Sequence, residues 1–281
     1  MKIIRKLLLY VLAGICILPV LIIFTGSLMG NEELRTLLSP ILEEADGYAS
    51  WHLIPLYPTF RNWIKLILDT PEYYVLFWNS MKVVLSILVG QLVFAVPAAW
   101  GLARSRKKWA SRMYGIYIFC MLLPFQVTML SQYLVLNSMH MIDTLFSLIV
   151  PLIFSTFPAF IIYQSFVKIP DSILDAAKVD GANAFQEFFY IAVPIGVPGI
   201  LAAMVIGFLE YWNMVEQPVI FLRKKELWPL SVYIPEITST NAGAAFAYSL
   251  FSILPALLVF WLGKDYLAHG LGMSGDLGNE K

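Results

Sequence analysis

Ile169-Pro170-Asp171-Ser172-Ile173-Leu174-Asp175-Ala176-Ala177-Lys178-Val179-Asp180-Gly181-Ala182-Asn183 is a compact polar interruption between long runs of hydrocarbon side chains. Its reading decides the fold, because a polar segment of this kind cannot face lipid and must separate one bilayer crossing from the next. Pro170 fixes the start, Asp171 or Ser172 is suited to the N-cap, and Ile173, Ala176, Ala177 and Asp180 fall on adjacent helical positions. Asp180-Gly181 reads as a helix stop, since glycine enters the left-handed region without the roughly 1 kcal/mol penalty that a Cβ brings. Asn183 is placed to cap a second helix together with Gln186, and Phe185, Phe188 and Phe189 supply its apolar stripe before Pro194 and Pro198. The segment therefore predicts two short helices at an angle. Ala176 and Ala177 keep the first thin enough to lie in a groove on another protein, with Asp175 and Asp180 offering charge to its rim; the competing reading is an amphipathic connector with no partner.

Composition sets the class of everything around this segment. Of 281 residues, 59% are hydrophobic and only 14% charged, and the mean hydropathy is +0.73. Such a chain belongs in a membrane. A crossing needs about 20 mostly apolar residues at about 1.5 Å rise each. By this criterion, spans are expected at about 7–29, 83–103, 113–136, 144–167, 192–213 and 243–263, with an outer loop over 30–82 and a cytoplasmic segment over 168–191. The expected architecture is all-α: a single polytopic transmembrane domain over residues 1–281. The first span is read as retained rather than cleaved.

Basic residues orient the spans, because Lys and Arg flanking a crossing tend to stay cytoplasmic. With the N-terminus inside, Lys2, Arg5, Lys6, Arg104, Arg106, Lys107, Lys108, Arg112, Lys168, Lys178, Lys264 and Lys281 are cytoplasmic; Arg35, Arg61, Lys65, Lys82, Arg223, Lys224 and Lys225 are outside. Both termini are thus expected in the cytoplasm, with Arg223-Lys224-Lys225 running against the rule. The outer loop is acidic, with Glu32, Glu33, Glu43, Glu44, Asp46, Asp69 and Glu72, and its Trp51, Pro55, Pro58 and Trp63 suggest short interfacial helices.

Several functions are disfavoured. A net charge of zero gives no sign of nucleic-acid binding. There is no G-x-x-x-x-G-K-[ST] phosphate loop, no H-E-x-x-H and no G-x-S-x-G elbow, so neither a catalytic site, a metal site nor a cofactor site of the chain's own is expected. Cys16 and Cys120 fall in predicted spans and read as small buried apolar groups. Polar residues at membrane depth are the candidates for a transport path: Gln126, Glu210 and Asn213 above all, with Gln91 and Gln132 nearby. Trp212 reads as an interfacial anchor. Gly199, Ala203 and Gly207 form a small helical face suited to close packing, and Pro97, Pro124, Pro151, Pro158 and Pro255 can kink or interrupt their spans.

The run from Pro170 to Pro198, with Asp175-Ala176-Ala177 and Asp180-Gly181-Ala182, resembles the EAA signature of ABC importer membrane subunits, with Asp at 175 in place of the usual Glu. Asn79-Ser80, Gly101-Leu102-Ala103-Arg104, Leu123-Pro124-Phe125-Gln126-Val127, Phe208, Trp212-Asn213, Pro218 and the ending Gly270-Leu271-Gly272-Met273-Ser274-Gly275 extend the likeness, which departs after Gly275 at Asp276-Leu277-Gly278. Together they are most similar to the second permease of maltose, multi-sugar and glycerol-phosphate uptake systems. The resemblance implies six crossings of the type I importer fold in a bacterial inner membrane. It also implies that Asp175, Ala176, Ala177, Asp180, Gly181 and Ala182 form a coupling helix. The implied partners are a second, related permease, a pair of ATPase subunits that hold ATP and Mg, and an extracytoplasmic solute-binding protein. The alternative from another class is a self-contained ion-coupled carrier or channel; a sensory component using the same groove contact is a third.

Overall fold

A computed structural model of the chain describes residues 2–42, 48, 50–105, 108–233 and 241–272. Glu43, Glu44, Asp46, Arg106, Lys107 and the tail from Met273 to Lys281 lie outside the described residues. Every regular element among the described residues is helical. Among the described residues five helices are long and apolar enough to cross a membrane: Ile4–Ser27, Pro71–Arg104, Phe146–Val167, Ala184–Trp212 and Ala242–Ala268; a bent pair, Trp109–Leu122 with Phe125–Ser138, makes six if it counts as one span. By its contacts the chain forms two compact units, Met1–Val75 with Tyr233–Pro255, and Leu76–Val232 with Ala256–Lys281.

In the first unit, α1 (Lys2–Ser27) is apolar on all sides and exposes Leu8, Tyr10, Ile15 and Leu18 by half or more, which suits a helix solvated by lipid. α2 (Asn31–Leu42) buries Leu34 and Leu37 with Met29 and Ala242, under Trp51 and Phe246. From α3 (Arg61–Leu68), buried Asn62 donates to Ser27 O at 3.0 Å and Met29 O at 2.9 Å, satisfying carbonyls at the end of α1 that have no helical partner. Gly243 presses on that amide so closely that a Cβ there would overlap it. The acidic segment after α1 therefore does contain short helices, and Glu33 fastens a further stretch of it by accepting from Leu56 N at 2.8 Å.

α4 (Pro71–Arg104) starts in this unit and runs on into the second. There follow α5 (Lys108–Leu122), α6 (Phe125–Ser138), α7 (Phe146–Ile153), α8 (Thr156–Val167), α9 (Asp171–Val179), α10 (Ala184–Gln186), a π-helical stretch at Glu187–Ala192, α11 (Val193–Trp212), α12 (Glu216–Phe221) and α13 (Ala242–Gly272), which contributes to both units. The core of the second unit joins Val96 and Ala99 of α4, Ile161, Ile162 and Phe166 of α8, and Ile200 and Ala203 of α11.

The small face of α11 does bring helices together. A Cβ at Gly199 would overlap Ser165 of α8, and one at Gly207 would sit 3.3 Å from Leu88 of α4. Trp212 is not the interfacial anchor expected of it: it is buried, stacked on Phe208 at 5.6 Å and edge-on to Phe77 at 5.8 Å. Cys16 and Cys120, expected to be buried, are both exposed. A helix that is apolar all round gives periodicity no means to choose the inward face.

Where hydropathy predicts one crossing at about 113–136, α5 and α6 meet at 100°. Pro124 is the cause. It holds φ −67 and ψ 149 as the cap of α6, and a proline disfavours helical conformation in the residue before it. Pro97 and Pro255, by contrast, lie inside the unbroken helices α4 and α13.

Candidate functional site

The polar interruption folds as a hook held almost wholly by local bonds. α9 begins at Asp171 with Pro170, not Asp171 or Ser172, in the cap position. At its other end Gly181 adopts φ +86, its N–H reaches Lys178 O at 3.0 Å, and the Ala182 N–H reaches Ala177 O at 2.9 Å. This pair of bonds is a Schellman close, which satisfies terminal carbonyls and requires a left-handed residue at Gly181. The chain then restarts through a capping box: Asn183 Oδ1 accepts from Gln186 N and Asn183 N donates to Gln186 Oε1, each at 2.9 Å.

These local constraints decide what the hook displays. Leu174 points inward and is buried, while Asp175, Ala176, Asp180 and Gly181 are exposed and Ala177 and Ala182 half-buried. Asp175 and Lys178 pair loosely at 3.5 Å, both well exposed, a contact worth little in water. Val179 at 88%, Phe185 at 68% and Tyr190 at 75% exposure place apolar surface beside these charges. The predicted stripe splits: Phe188 leans on the core near Trp100, whereas Phe185 and Phe189 stay exposed in contact with each other at 4.3 Å. The π-helical stretch at Glu187–Ala192, which changes the helical spacing, is where the split occurs.

Arg104, which the sequence shows only as a cytoplasmic charge and as the end of the Gly101-Leu102-Ala103-Arg104 run, has a structural role that neither reading names. Its guanidinium donates to Phe166 O at 2.9 Å and Ile169 O at 2.8 Å at the end of α8, and to Asp171 Oδ1 at 2.9 Å at the start of α9. It also lies 5.0 Å from the Trp100 ring centre. One side chain thus ties the last turn of α4 to the base of the hook. The signal available in the sequence was its position closing Gly101-Leu102-Ala103-Arg104, but its acceptors are 62 and more residues away.

The three candidate path residues do not converge. Gln126 donates to both carboxylate oxygens of Glu216 at 2.8 and 2.9 Å, and Asn213 turns back onto Leu209 O at 2.8 Å. Glu210 alone opens onto a cavity of about 330 Å³, shared with Gln132, Ser155, Thr156 and Gln217. Gln91 is structural, donating to Leu152 O at 2.8 Å and Tyr211 OH at 2.7 Å from a fully buried position.

At the opposite end of α4 a second clasp gathers the loops. Asn79 donates to Glu226 O at 2.6 Å and Trp228 O at 3.3 Å, and Ser80 Oγ accepts from Leu230 N at 2.7 Å. Asp143, at φ 61, accepts from Arg223 N and Lys224 N, each at 3.0 Å, with Lys224 Nζ at 3.5 Å. The Lys224 backbone N–H first, then that of Arg223 and the Lys224 charge, hold its carboxyl below the usual carboxylate range despite some opposing desolvation. Arg223 and Lys224, anomalous by the charge rule, are thus bound into this clasp.

The chain is similar over 224 residues, at 29% identity, to the arabinooligosaccharides transport system permease protein AraQ of Bacillus subtilis, covering 79% of this chain and 80% of that one. It is 28% identical over 200 residues to the lactose transport system permease protein LacG of Rhizobium radiobacter, covering 70% and 73%. In fold it superposes with a TM-score of 0.81, at 21% identity and over 94% of this chain and 95% of the other, on a chain of a bacterial ABC transporter involved in the import of the acidic polysaccharide alginate. The family model described as "Binding-protein-dependent transport system inner membrane component" matches residues 91–266, a stretch that holds Arg104, the hook and the Glu210 cavity. With well over half its length so matched, this chain belongs to the family of inner-membrane components of binding-protein-dependent transport systems.

Proposed function

We propose that the chain is one of two related permeases that together form the path for a sugar or similar solute across a bacterial inner membrane. Both termini face the cytoplasm, a solute-binding protein delivers from outside, and a pair of ATPase subunits, which alone hold ATP and Mg, drives the cycle. The chain itself is no enzyme and needs no cofactor. The observation that carries this reading is the hook: residues 170–186 present Asp175, Ala176, Asp180 and Gly181 to solvent on a scaffold fixed by its own backbone bonds. Thin, rigid and charged, it is built to seat in a groove on a moving neighbour and to pass that movement through Arg104 to α4 and α8.

Support for a saccharide comes from the relatives, whose names specify arabinooligosaccharides and lactose, and for a delivering protein from a second fold neighbour described in complex with an alginate pentasaccharide-bound periplasmic protein. The test is Gly181→Val. Open space surrounds Gly181, so no clash occurs, but a β-branched residue at φ +86 forces the turn to reshape. ATP-driven uptake in reconstituted vesicles is expected to fall by about tenfold, with the chain still in the membrane and the ATPase turning over without solute. Full uptake by this variant refutes the coupling role. Uptake by wild-type vesicles lacking ATP would favour the self-contained carrier.

A further inference from the structure

Within the second unit, the cavity of about 330 Å³ that Glu210 opens onto has a lopsided chemistry. Gln132, Gln217, Ser155 and Thr156 offer amides and hydroxyls, and Phe125, Phe154, Phe157 and Phe221 offer ring faces and edges, a mixture suited to a polyhydroxylated ligand. Neither Lys nor Arg lines it. Glu210 is its single carboxylate, is exposed, and forms no salt bridge among the described residues. Gln126, another polar candidate for the path, does not line the cavity and is committed to Glu216. A lone acid opening onto a cavity with no basic residue in its lining sets the sign of the field in the space a solute must enter. A carboxylate at this depth also has to face water or a polar partner, and the cavity supplies that face.

We infer that this cavity admits uncharged or cationic saccharides and turns away anionic ones, with Glu210 as the residue that sets the discrimination. The inference rests on the permease reading and narrows its solute class.

Cys120 lines the same cavity and is a built-in reporter. In the assembled importer carrying Cys16→Ser, Cys120 is labelled with a trimethylammonium or a sulfonate methanethiosulfonate reagent, and modification is read by mass spectrometry of its peptide. After correction for each reagent's rate with a small free thiol, the cation is expected to react about tenfold faster than the anion. Glu210→Gln should bring the two rates together, and Glu210→Asp should keep them apart. Thr156→Cys, in a chain also carrying Cys120→Ser, repeats the measurement from another wall of the cavity. Equal rates in the wild type, or a ratio untouched by Glu210→Gln, overturn the inference and leave the permease reading standing. That reading fails separately, if the complete assembly shows no ATP-dependent uptake of any saccharide.

Discussion

The hook and the clasp around the opposite end of α4 both interrupt the run of long apolar helices, yet they are held by opposite means. In the hook, each closing bond spans no more than five residues: Ala182 N to Ala177 O, Gly181 N to Lys178 O, and the reciprocal pair between Asn183 and Gln186. In the clasp, Asn79 and Ser80 reach partners 147 to 150 residues away, and Asp143 reaches 80 residues to Arg223 N. A locally closed element keeps its shape when its surroundings move; a clasp made of distant partners exists only while the helices bearing them stay in register. The hook is thus suited to transmit a displacement as a rigid piece, and the clasp to fix where one end of the bundle is held still. Arg104 is the exception on the hook side, the long-range bond through which the rigid piece meets the bundle.

Removing that exception should have the largest effect. Arg104→Met removes the charged donor shared by the Phe166 and Ile169 carbonyls and the Asp171 carboxylate, and leaves Ile169 O unpaired, since Phe166 O still accepts from Ile169 N at 3.2 Å; much of the aliphatic packing stays. An unsatisfied part-buried Ile169 carbonyl costs about 1 to 3 kcal/mol, the lost charge-assisted bond to Phe166 O adds about 1 kcal/mol, and the exposed Asp171 contributes little, so a loss of about 3 kcal/mol is expected. The measurement is melting of the detergent-solubilised assembly, together with ATPase activity. Lys at 104 can reach one acceptor but not a fork of three, so Arg104→Lys should recover stability only in part while coupling stays impaired. Wild-type coupling in Arg104→Met would show the hook to be self-sufficient and erase the distinction between its local bonds and its anchor.

Asn79→Ala probes the other side. It removes both donor bonds to the 226–228 backbone and leaves two carbonyls to find water, an expected cost of about 2 kcal/mol. If the clasp is a static fixture, the loss should appear as faster proteolysis near Lys224 and Lys225 with the ratio of transport to ATP hydrolysis unchanged. An altered ratio would mean that this end of the bundle also carries the stroke.

How legible each region was follows from the same contrast. Schellman closes and capping boxes are written in consecutive residues, so Asp180-Gly181 and Asn183 with Gln186 could be read directly, as could the helical class and the break at Pro124 as a candidate interruption. Asn79 pairing with Glu226 and Trp228 could not, since no pattern in either stretch names the other. The same limit explains Trp212: a tryptophan near a span end suits an interface until Phe208 and Phe77 are known to enclose it. It explains Gln126 and Asn213 as well, which looked like free polar groups and prove to be engaged with Glu216 and Leu209.

The finest test of the contrast is acid, which should loosen the clasp and leave the hook alone. Asp143 is bonded by Lys224 N and Arg223 N in its ionised form, and these bonds lower its affinity for protons in the folded state. A carboxylate whose folded value lies below its unfolded one contributes stability that is complete above the unfolded range, about pH 4, and disappears as pH falls through the folded value. Protection of the Arg223 and Lys224 amides against hydrogen exchange should therefore hold from neutral pH to about 4 and decline only below it. Asp143→Asn can still accept from both amides but cannot titrate, so its protection should be lower than wild type at neutral pH and flat with acid; comparing the two proteins at each pH cancels the intrinsic exchange rate. The Gly181 and Ala182 amides, bonded to backbone carbonyls that do not titrate, provide the internal reference and should show no difference between the two proteins. A wild-type curve for Arg223 and Lys224 that runs parallel to that of Asp143→Asn down to the lowest pH would remove charge from the clasp and leave Asn79 and Ser80 to hold it.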